Sequence, residues 1–256
     1  MTRWIEDWFG SDYYCMLYKH RGLDEAKLFL DNLVSLLHLP VQSKILDCGC
    51  GKGRHSIYLA EKGFEVTGID ISEKNIAAAS LTKIKSTVEA GQIKKQEKKN
   101  LNFYTHDMRN LFRLNYYDVA LSLFTSFGYF QEDSENNKAI KSIASSLKKN
   151  GWFVLDFMNA EKEIKKIVAE EVFQMSEINF KVKRFIEGDF IIKEISVTDN
   201  EKIYSFSERV KTYTRKYLEN FFIQNKLEVV HLFGDYTLTS FNEITSERLI
   251  LIGRKI

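Results

Sequence analysis

Proline is nearly absent from this 256-residue chain; Pro40 is the only one. Cysteine is scarce too. Cys15, Cys48 and Cys50 are odd in number and show no metal-ligand spacing, which argues against a disulfide framework or a zinc site and for a reduced, cytoplasmic setting. No apolar run approaches the ~20 residues of a membrane helix. The first residues, Met1-Thr2-Arg3-Trp4-Ile5-Glu6-Asp7-Trp8, lack the basic end and apolar stretch of a signal peptide. Charge of one sign is missing as well. The 37 basic and 35 acidic residues leave a net charge of +2, with no global pull toward nucleic acid. A local basic run, Lys94-Lys95-Gln96-Glu97-Lys98-Lys99, has no interleaved aromatics and reads as a solvated loop.

What is present is a packed globule, 44% apolar and 28% charged, long enough for one large domain or for a core with an insertion. Residues 1–40 read as a helical cap, with Leu28, Leu30, Leu33, Val34, Leu36 and Leu37 on one face and Pro40 as its stop. Strands and helices then alternate. Strands are expected at 44–47, 64–69, 101–105, 117–123 and 152–156, and helices at 53–62, from Ser72 to near Gly91, and at 134–147. The second of these helices is read through Ile76, Ala79, Ile84 and Val88. Such alternation predicts an α/β fold, a doubly wound, mostly parallel sheet. After residue 158 the texture changes. A helical stretch at 161–170 precedes three strand-like runs, 178–186, 190–197 and 203–214, joined by hairpin chemistry at Glu187-Gly188-Asp189 and Thr198-Asp199-Asn200. This is an antiparallel β insertion after the fifth strand, a substrate lid or a dimer surface. A helix at 216–225 and strands at 227–233 and 248–254 complete a seven-stranded sheet. The division is thus 1–40 cap, 41–160 core, 161–214 insertion and 215–256 return to the core.

The chemistry concentrates at the C-terminal ends of the parallel strands, where ligands of open α/β sheets bind. Ile45-Leu46-Asp47-Cys48-Gly49-Cys50-Gly51-Lys52-Gly53-Arg54 is a strand, an acid and a glycine-rich turn opening into a helix. Asp70 closes the second strand, where a carboxylate can accept both hydroxyls of a ribose. Asp107 and Met108 follow the third, suited to an adenine amine and ring, and Leu123 and Phe124 close the fourth. A dinucleotide fits poorly. Its third glycine is replaced by Arg54, and Asp47 at the turn disfavours a pyrophosphate but suits a cationic ammonium.

These residues resemble the class I S-adenosylmethionine-dependent methyltransferases, through Ile45–Arg54, Gly68-Ile69-Asp70-Ile71-Ser72, His106-Asp107-Met108, Tyr117-Asp118-Val119 and Leu147–Asp156. The resemblance implies a Rossmann-like fold and S-adenosyl-L-methionine as cofactor. It implies Asp47 and Gly49 near the cofactor's amino-acid part, Asp70 on the ribose, and Asp107 and Met108 on the adenine, with Gly51 and Ile71 also among the cofactor-binding residues. Leu123 and Phe124 would lie by the thioether. Ser11-Asp12-Tyr13-Tyr14-Cys15-Met16-Leu17-Tyr18 with Arg21, and Leu123-Phe124-Thr125-Ser126-Phe127-Gly128-Tyr129, are similar to the cap and fourth-strand loop of sugar N-methyltransferases. That implies Tyr14 and Tyr18 near the sulfonium and Arg21 near the carboxylate.

Methyl transfer needs chiefly proximity and orientation. Tyr14, Tyr129 and Tyr236 are the candidate catalytic residues, with Asn159 and Asp235 also on the strand-end loops. No metal is called for. Phe124, Phe127, Tyr129, Phe130 and Phe157 are expected to line a pocket for a small, partly apolar acceptor, methylated on nitrogen or oxygen. The Pro-Pro-aromatic loop usual in enzymes that methylate base or glutamine amides is absent, so a nucleic-acid partner is not expected. An RNA or protein methyltransferase and a non-catalytic cofactor-binding protein are the alternatives. No membrane partner is expected, and the chain is read as a monomer or homodimer.

Overall fold

The computed structural model describes residues 3–18, 23–82, 84–89, 92–97 and 99–256. In chain order the elements are α1 (Arg3–Phe9), α2 (Asp12–Leu17), α3 (Leu23–Leu36), β1 (Lys44–Cys48), α4 (Arg54–Glu61), β2 (Glu65–Asp70), α5 (Glu73–Thr82), β3 (Ile84–Glu89), β4 (Gln92–Glu97), β5 (Leu101–Thr105), β6 (Tyr117–Ser122), α6 (Asp133–Ser146) and β7 (Leu147–Met158). Then follow α7 (Ala160–Lys165), β8 (Glu170–Met175), β9 (Ile178–Glu187), β10 (Phe190–Asp199), β11 (Lys202–Lys211), α8 (Arg215–Gln224), β12 (Leu227–Phe233) and β13 (Arg248–Lys255).

The main sheet has the order β12-β13-β7-β6-β1-β2-β5. Its strands are parallel except β13, which runs antiparallel to both β7 and β12. The central strands are covered on both faces, so they read as continuous apolar runs. Ile45, Leu46 and Cys48 of β1 and Val119, Ala120 and Leu121 of β6 are all buried. The sheet order reverses beside β1, between β6 and β2, and this switch point puts the glycine turn after β1 at the mouth of a crevice.

Three expectations are corrected. The helix expected to run to Gly91 stops at Thr82; a two-stranded hairpin of β3 and β4 follows. The segment Ile84-Lys85-Ser86-Thr87-Val88-Glu89 is rich in β-branched residues, and its Ile and Val belong to a strand rather than to the helical face of Ile76 and Ala79. Most of the lysine run therefore falls on β4 instead of a loop, and Lys98 lies outside the described residues. The helix expected at 161–170 ends at Lys165, and Glu170–Met175 forms a fourth insertion strand, giving a sheet β11-β10-β9-β8. Val172, turned outward on this edge strand, hid the alternation of Glu171, Phe173 and Met175.

The first 40 residues do not act as one unit. On α3, Phe29, Leu30 and Leu33 pack into the core with Ile45 and Leu59. α1 and α2 instead cover the insertion sheet, where Trp8, fully buried, joins Leu17, Phe180, Val182, Ile195 and Val197 in a separate apolar cluster. Cap and insertion thus form one layer across the ligand-facing edge of the main sheet.

Candidate functional site

The turn after β1 is built by glycine. Gly49 and Gly51 take φ of 71° and 55°, a region costly to any residue with a Cβ. A Cβ on Gly49 would stand 2.7 Å from Ser126 Cβ, whereas one on Gly51 would enter open space. The Gly49 and Cys50 amides both donate to the Ile69 carbonyl (2.8 and 3.0 Å), pinning the turn to the end of β2. There Asp70 accepts from the Gly51 amide at Oδ2 and from the Ser72 amide at Oδ1, each at 2.9 Å. Burial pushes its carboxyl above the ordinary range. A carboxylate has about four lone-pair directions; these amides take two and the Asn75 side chain approaches as well, which leaves capacity for a ligand hydroxyl.

The crevice is lined by Gly49, Gly51, Asp70, Ile71, Asp107, Met108 and Phe124 among others, and is covered by Ile5, Phe9 and Tyr14 of the cap with Tyr129 of the β6 loop. Apart from Ile5, the cover is aromatic. Phe9 stands 5.0 Å from Tyr14 and 5.1 Å from Tyr129, centroid to centroid. Such faces favour a sulfonium. An open space above a glycine turn, a strand-end carboxylate with free lone pairs and an aromatic roof together fit S-adenosylmethionine.

Other residues singled out by sequence are placed differently. Asp107 lines the crevice, but its carboxylate already accepts from the Arg109 backbone amide and guanidinium. Burial pushes it up; the guanidinium outweighs this and holds it below the usual carboxylate range. Asp47 is buried beneath the turn and accepts from Ser56 Oγ at 2.6 Å. Leu123 is buried in the core and Tyr18 lines a neighbouring cavity, while Arg21 lies outside the described residues. Tyr236 stands outside the crevice, its hydroxyl donated to Asp156 at 3.1 Å, and burial pushes its phenol far up, so it is a donor rather than a base at neutral pH. Asn159 is spent on the Glu243 and Ser246 carbonyls. Asp235 binds Thr237 and its neighbours. Phe157 is fully buried and does not line the pocket expected of it; Phe124, Phe127, Tyr129 and Phe130 do.

Sequence reasoning missed the residues that hold the β6 loop. Phe124 and Thr125 are not glycines, yet take φ of 55° and 61°. Asp156 of β7, fully buried, fixes both. Its Oδ2 accepts from the Phe124 amide (2.7 Å), and its carbonyl accepts from the Thr125 amide (3.0 Å). Arg248 of β13 donates from Nε to Asp156 Oδ1 (2.7 Å) and from Nη2 to Thr125 Oγ1 (2.9 Å). The Phe124 ring is stacked between His55 and Tyr236. An acid inside the apolar run Phe153-Val154-Leu155-Asp156-Phe157 was a visible signal that a partner must exist, though not which one.

A second cavity of about 330 Å³ adjoins the crevice, between the main sheet and the insertion. The two share Phe9, Tyr14, Phe124, Thr125 and Tyr129. Its other lining residues include Tyr18, Glu163, Arg184, Lys193, Glu208 and Arg248, so it is far more polar than the aromatic pocket expected from sequence.

The turn carries a pH signature. Burial, with the Asp70 charge adding to it, raises Asp47 to about 6, against the help of Ser56. Burial, then the Arg54 charge, lowers His55 to about 3, and its neutral Nε2 faces Arg54 Nη2 at 3.2 Å. Between about pH 4 and 6, folded Asp47 keeps a proton that the unfolded chain gives up, so its contribution to stability falls as pH rises. Below about pH 6.5 the unfolded chain protonates histidine while folded His55 stays neutral, so that contribution falls as pH falls. The two oppose each other at about 1.4 kcal/mol per pH unit each. Asp47→Asn should therefore lose stability from pH 6 to pH 4 more steeply than the parent, by roughly 1 kcal/mol per unit. Urea unfolding at pH 4, 5 and 6 measures it; parallel curves would show that Asp47 is ionised across this range.

Comparison with known proteins agrees with this geometry. The profile of a family described as "Methyltransferase domain" matches residues 41–220, and the chain belongs to that family, the class I S-adenosylmethionine-dependent methyltransferases. It is an enzyme with S-adenosylmethionine as its cofactor. YqeM of Bacillus subtilis (strain 168) is 28% identical over 226 residues, 85% of this chain and 86% of that protein. A dTDP-3-amino-3,4,6-trideoxy-alpha-D-glucopyranose N,N-dimethyltransferase of Streptomyces venezuelae is 28% identical over 149 residues, 57% of this chain and 56% of that one. The crystal structure of an S-adenosylmethionine-dependent methyltransferase from Clostridium acetobutylicum ATCC 824 shares the fold, with a TM-score of 0.77 at 18% identity over 95% of this chain and 96% of that one. Among the described residues, no helix is long and apolar enough to cross a membrane, and no group of His, Cys, Asp and Glu could hold a metal ion.

Proposed function

We propose that this enzyme transfers the methyl group of S-adenosylmethionine to an amine nitrogen of a small polar molecule, held in the cavity between the main sheet and the insertion. The observation that carries this reading is the wall common to crevice and cavity, formed by Phe9, Tyr14, Phe124, Thr125 and Tyr129. A methyl group leaving the crevice there enters the cavity directly. A relative named for N,N-dimethylation of an amino sugar supports nitrogen as the acceptor atom.

Bound S-adenosylmethionine supplies a methyl on a positively charged sulfur, and a neutral thioether leaves. This chain's part is to position and to exclude water. Asp70 holds the ribose, Gly49 and Gly51 give the amino-acid part close backbone approach, and Ile71 and Met108 flank the adenosine. Tyr14 and Tyr129 offer ring faces to the sulfonium. The Tyr129 hydroxyl donates to the Thr125 carbonyl, which fixes its ring in the shared wall. Orientation of this kind can supply up to ~7–11 kcal/mol of the barrier. The domain division supported is a core for the cofactor and a cap-plus-insertion layer for the acceptor.

Thermal unfolding with S-adenosylmethionine, S-adenosylhomocysteine, NAD and no ligand tests the cofactor site. A ligand at 100 times its Kd should add about 2.7 kcal/mol. Stabilisation by the two adenosyl-sulfur ligands and not by NAD is expected; the reverse would overturn the reading. Small amines and their hydroxyl analogues, assayed for S-adenosylhomocysteine release, then test the acceptor atom. Turnover of the hydroxyl compounds alone would move it to oxygen.

A further inference from the structure

The insertion sheet turns one face toward the cap and the cavity. On that face the cross-strand pairs of β9 and β10 are Phe180↔Val197, Val182↔Ile195, Arg184↔Lys193 and Ile186↔Ile191. Three are apolar on both sides; the first two are buried, while Ile186 is exposed. The fourth sets two cations directly opposite each other, an arrangement unfavourable to a sheet. The other face shows ordinary pairing, with Lys183 opposite Glu194. Packing of the buried pairs Phe180↔Val197 and Val182↔Ile195 does not extend to 184 and 193, which face the cavity instead.

Both cations line the cavity beside Tyr14 and Tyr129. Each has a carboxylate on its outer flank. Arg184 pairs with Glu171; Lys193 lies 3.6 Å from Glu208 and donates to the Tyr18 hydroxyl. Glu208, the cross-strand neighbour of Lys193, also accepts from Trp8 Nε1 and Tyr18 at 3.0 Å each. The row reads carboxylate, cation, cation, carboxylate, positive at its centre. Lys193 and Glu208 are only 17% and 12% exposed, so solvent screens them weakly. Of the other charged lining residues, Arg248 is matched by Asp156 and Lys166 by Glu247, while Glu163 adds a negative charge at the side.

We propose that Arg184 and Lys193 form an anion-binding subsite, and that the methyl acceptor carries a carboxylate or phosphate group that sits between them. This rests on the reading that the cavity holds the acceptor. The anion would share the two cations with Glu171 and Glu208, and the guanidinium and ammonium supply charge-assisted hydrogen bonds that fix the acceptor's orientation.

The test uses the full chain saturated with S-adenosylhomocysteine. Inorganic phosphate and acetate are titrated in separate arms, with sodium chloride holding ionic strength constant, and the melting temperature is followed. The parent should respond saturably to at least one anion, and the arm that responds tells phosphate from carboxylate. Arg184→Gln and Lys193→Gln should each weaken that response about tenfold. Lys183→Gln, on the outer face, should leave it unchanged. A parent indifferent to both anions, or inner-face variants no different from Lys183→Gln, would overturn the subsite. The S-adenosylhomocysteine shift in the same samples reports the folded cofactor site separately, so its loss in the parent would point to failure of the functional reading itself.

Discussion

Asp70→Ala is expected to weaken S-adenosylhomocysteine binding by about 30- to 1000-fold, or roughly 2–4 kcal/mol. Two losses add. The ribose loses its charge-assisted acceptor, worth about 1.5–3 kcal/mol. The turn loses its anchor as well, because Asp70 is the acceptor for the Gly51 and Ser72 amides. Asp70→Asn separates the two. One amide oxygen can still accept from the turn, but the charge is gone, so it should fall between Ala and the parent. Titration calorimetry with S-adenosylhomocysteine measures all three proteins. An Asp70→Ala variant that binds within threefold of the parent would remove the ribose from this carboxylate and leave Asp70 a turn anchor only.

The second large effect belongs to Arg248. Two successive non-glycine residues with left-handed backbone cost about 1–3 kcal/mol each and persist only where surrounding structure holds them. Phe124 and Thr125 are held by Asp156 and Arg248. Arg248→Ala leaves the Asp156 charge, which has no exposure, without its cation. Removing one partner of such a pair costs about 3–5 kcal/mol. The backbone amides of 124 and 125 should then exchange faster than those of β6 and β7, because the strained loop is freed before the sheet opens. Thr125→Gly added to Arg248→Ala should recover part of the loss, since glycine takes positive φ without the steric penalty. Denaturant unfolding and amide exchange read these outcomes. A loss under about 1 kcal/mol with unchanged exchange would mean that the loop keeps its shape without the clamp. Since this loop is the wall between crevice and cavity, its geometry bears on methyl transfer; misplacement by about 1 Å can cost 100-fold in rate.

Local pattern carried the core fold. Short apolar strands, helical spacing and glycine at the β1 turn each depend on near neighbours in sequence, so alternation gave the sheet and the place of Asp70 at its edge. The same locality explains the errors. The helix through Ile84 and Val88 extended a helical spacing past Thr82, where the β-branched residues Ile84, Thr87 and Val88 favour a strand. The strand at Glu170–Met175 was hidden because Val172 is apolar but exposed.

Sequence order alone places the strand–acid–glycine run, Asp70 and Met108 after consecutive elements whose ends meet on one edge of a parallel sheet, and they line one crevice there. Only the tertiary structure decided the rest. It paired Asp156 with Arg248 on antiparallel neighbours and packed Trp8 and Tyr18 onto Glu208. It also set Arg184 against Lys193 through a hairpin register in which a slip of one residue would have put the two cations on opposite faces. The reason is physical: backbone propensity acts between residues a few positions apart, whereas a buried charge or an inward-facing cation is satisfied by whatever the completed fold brings beside it.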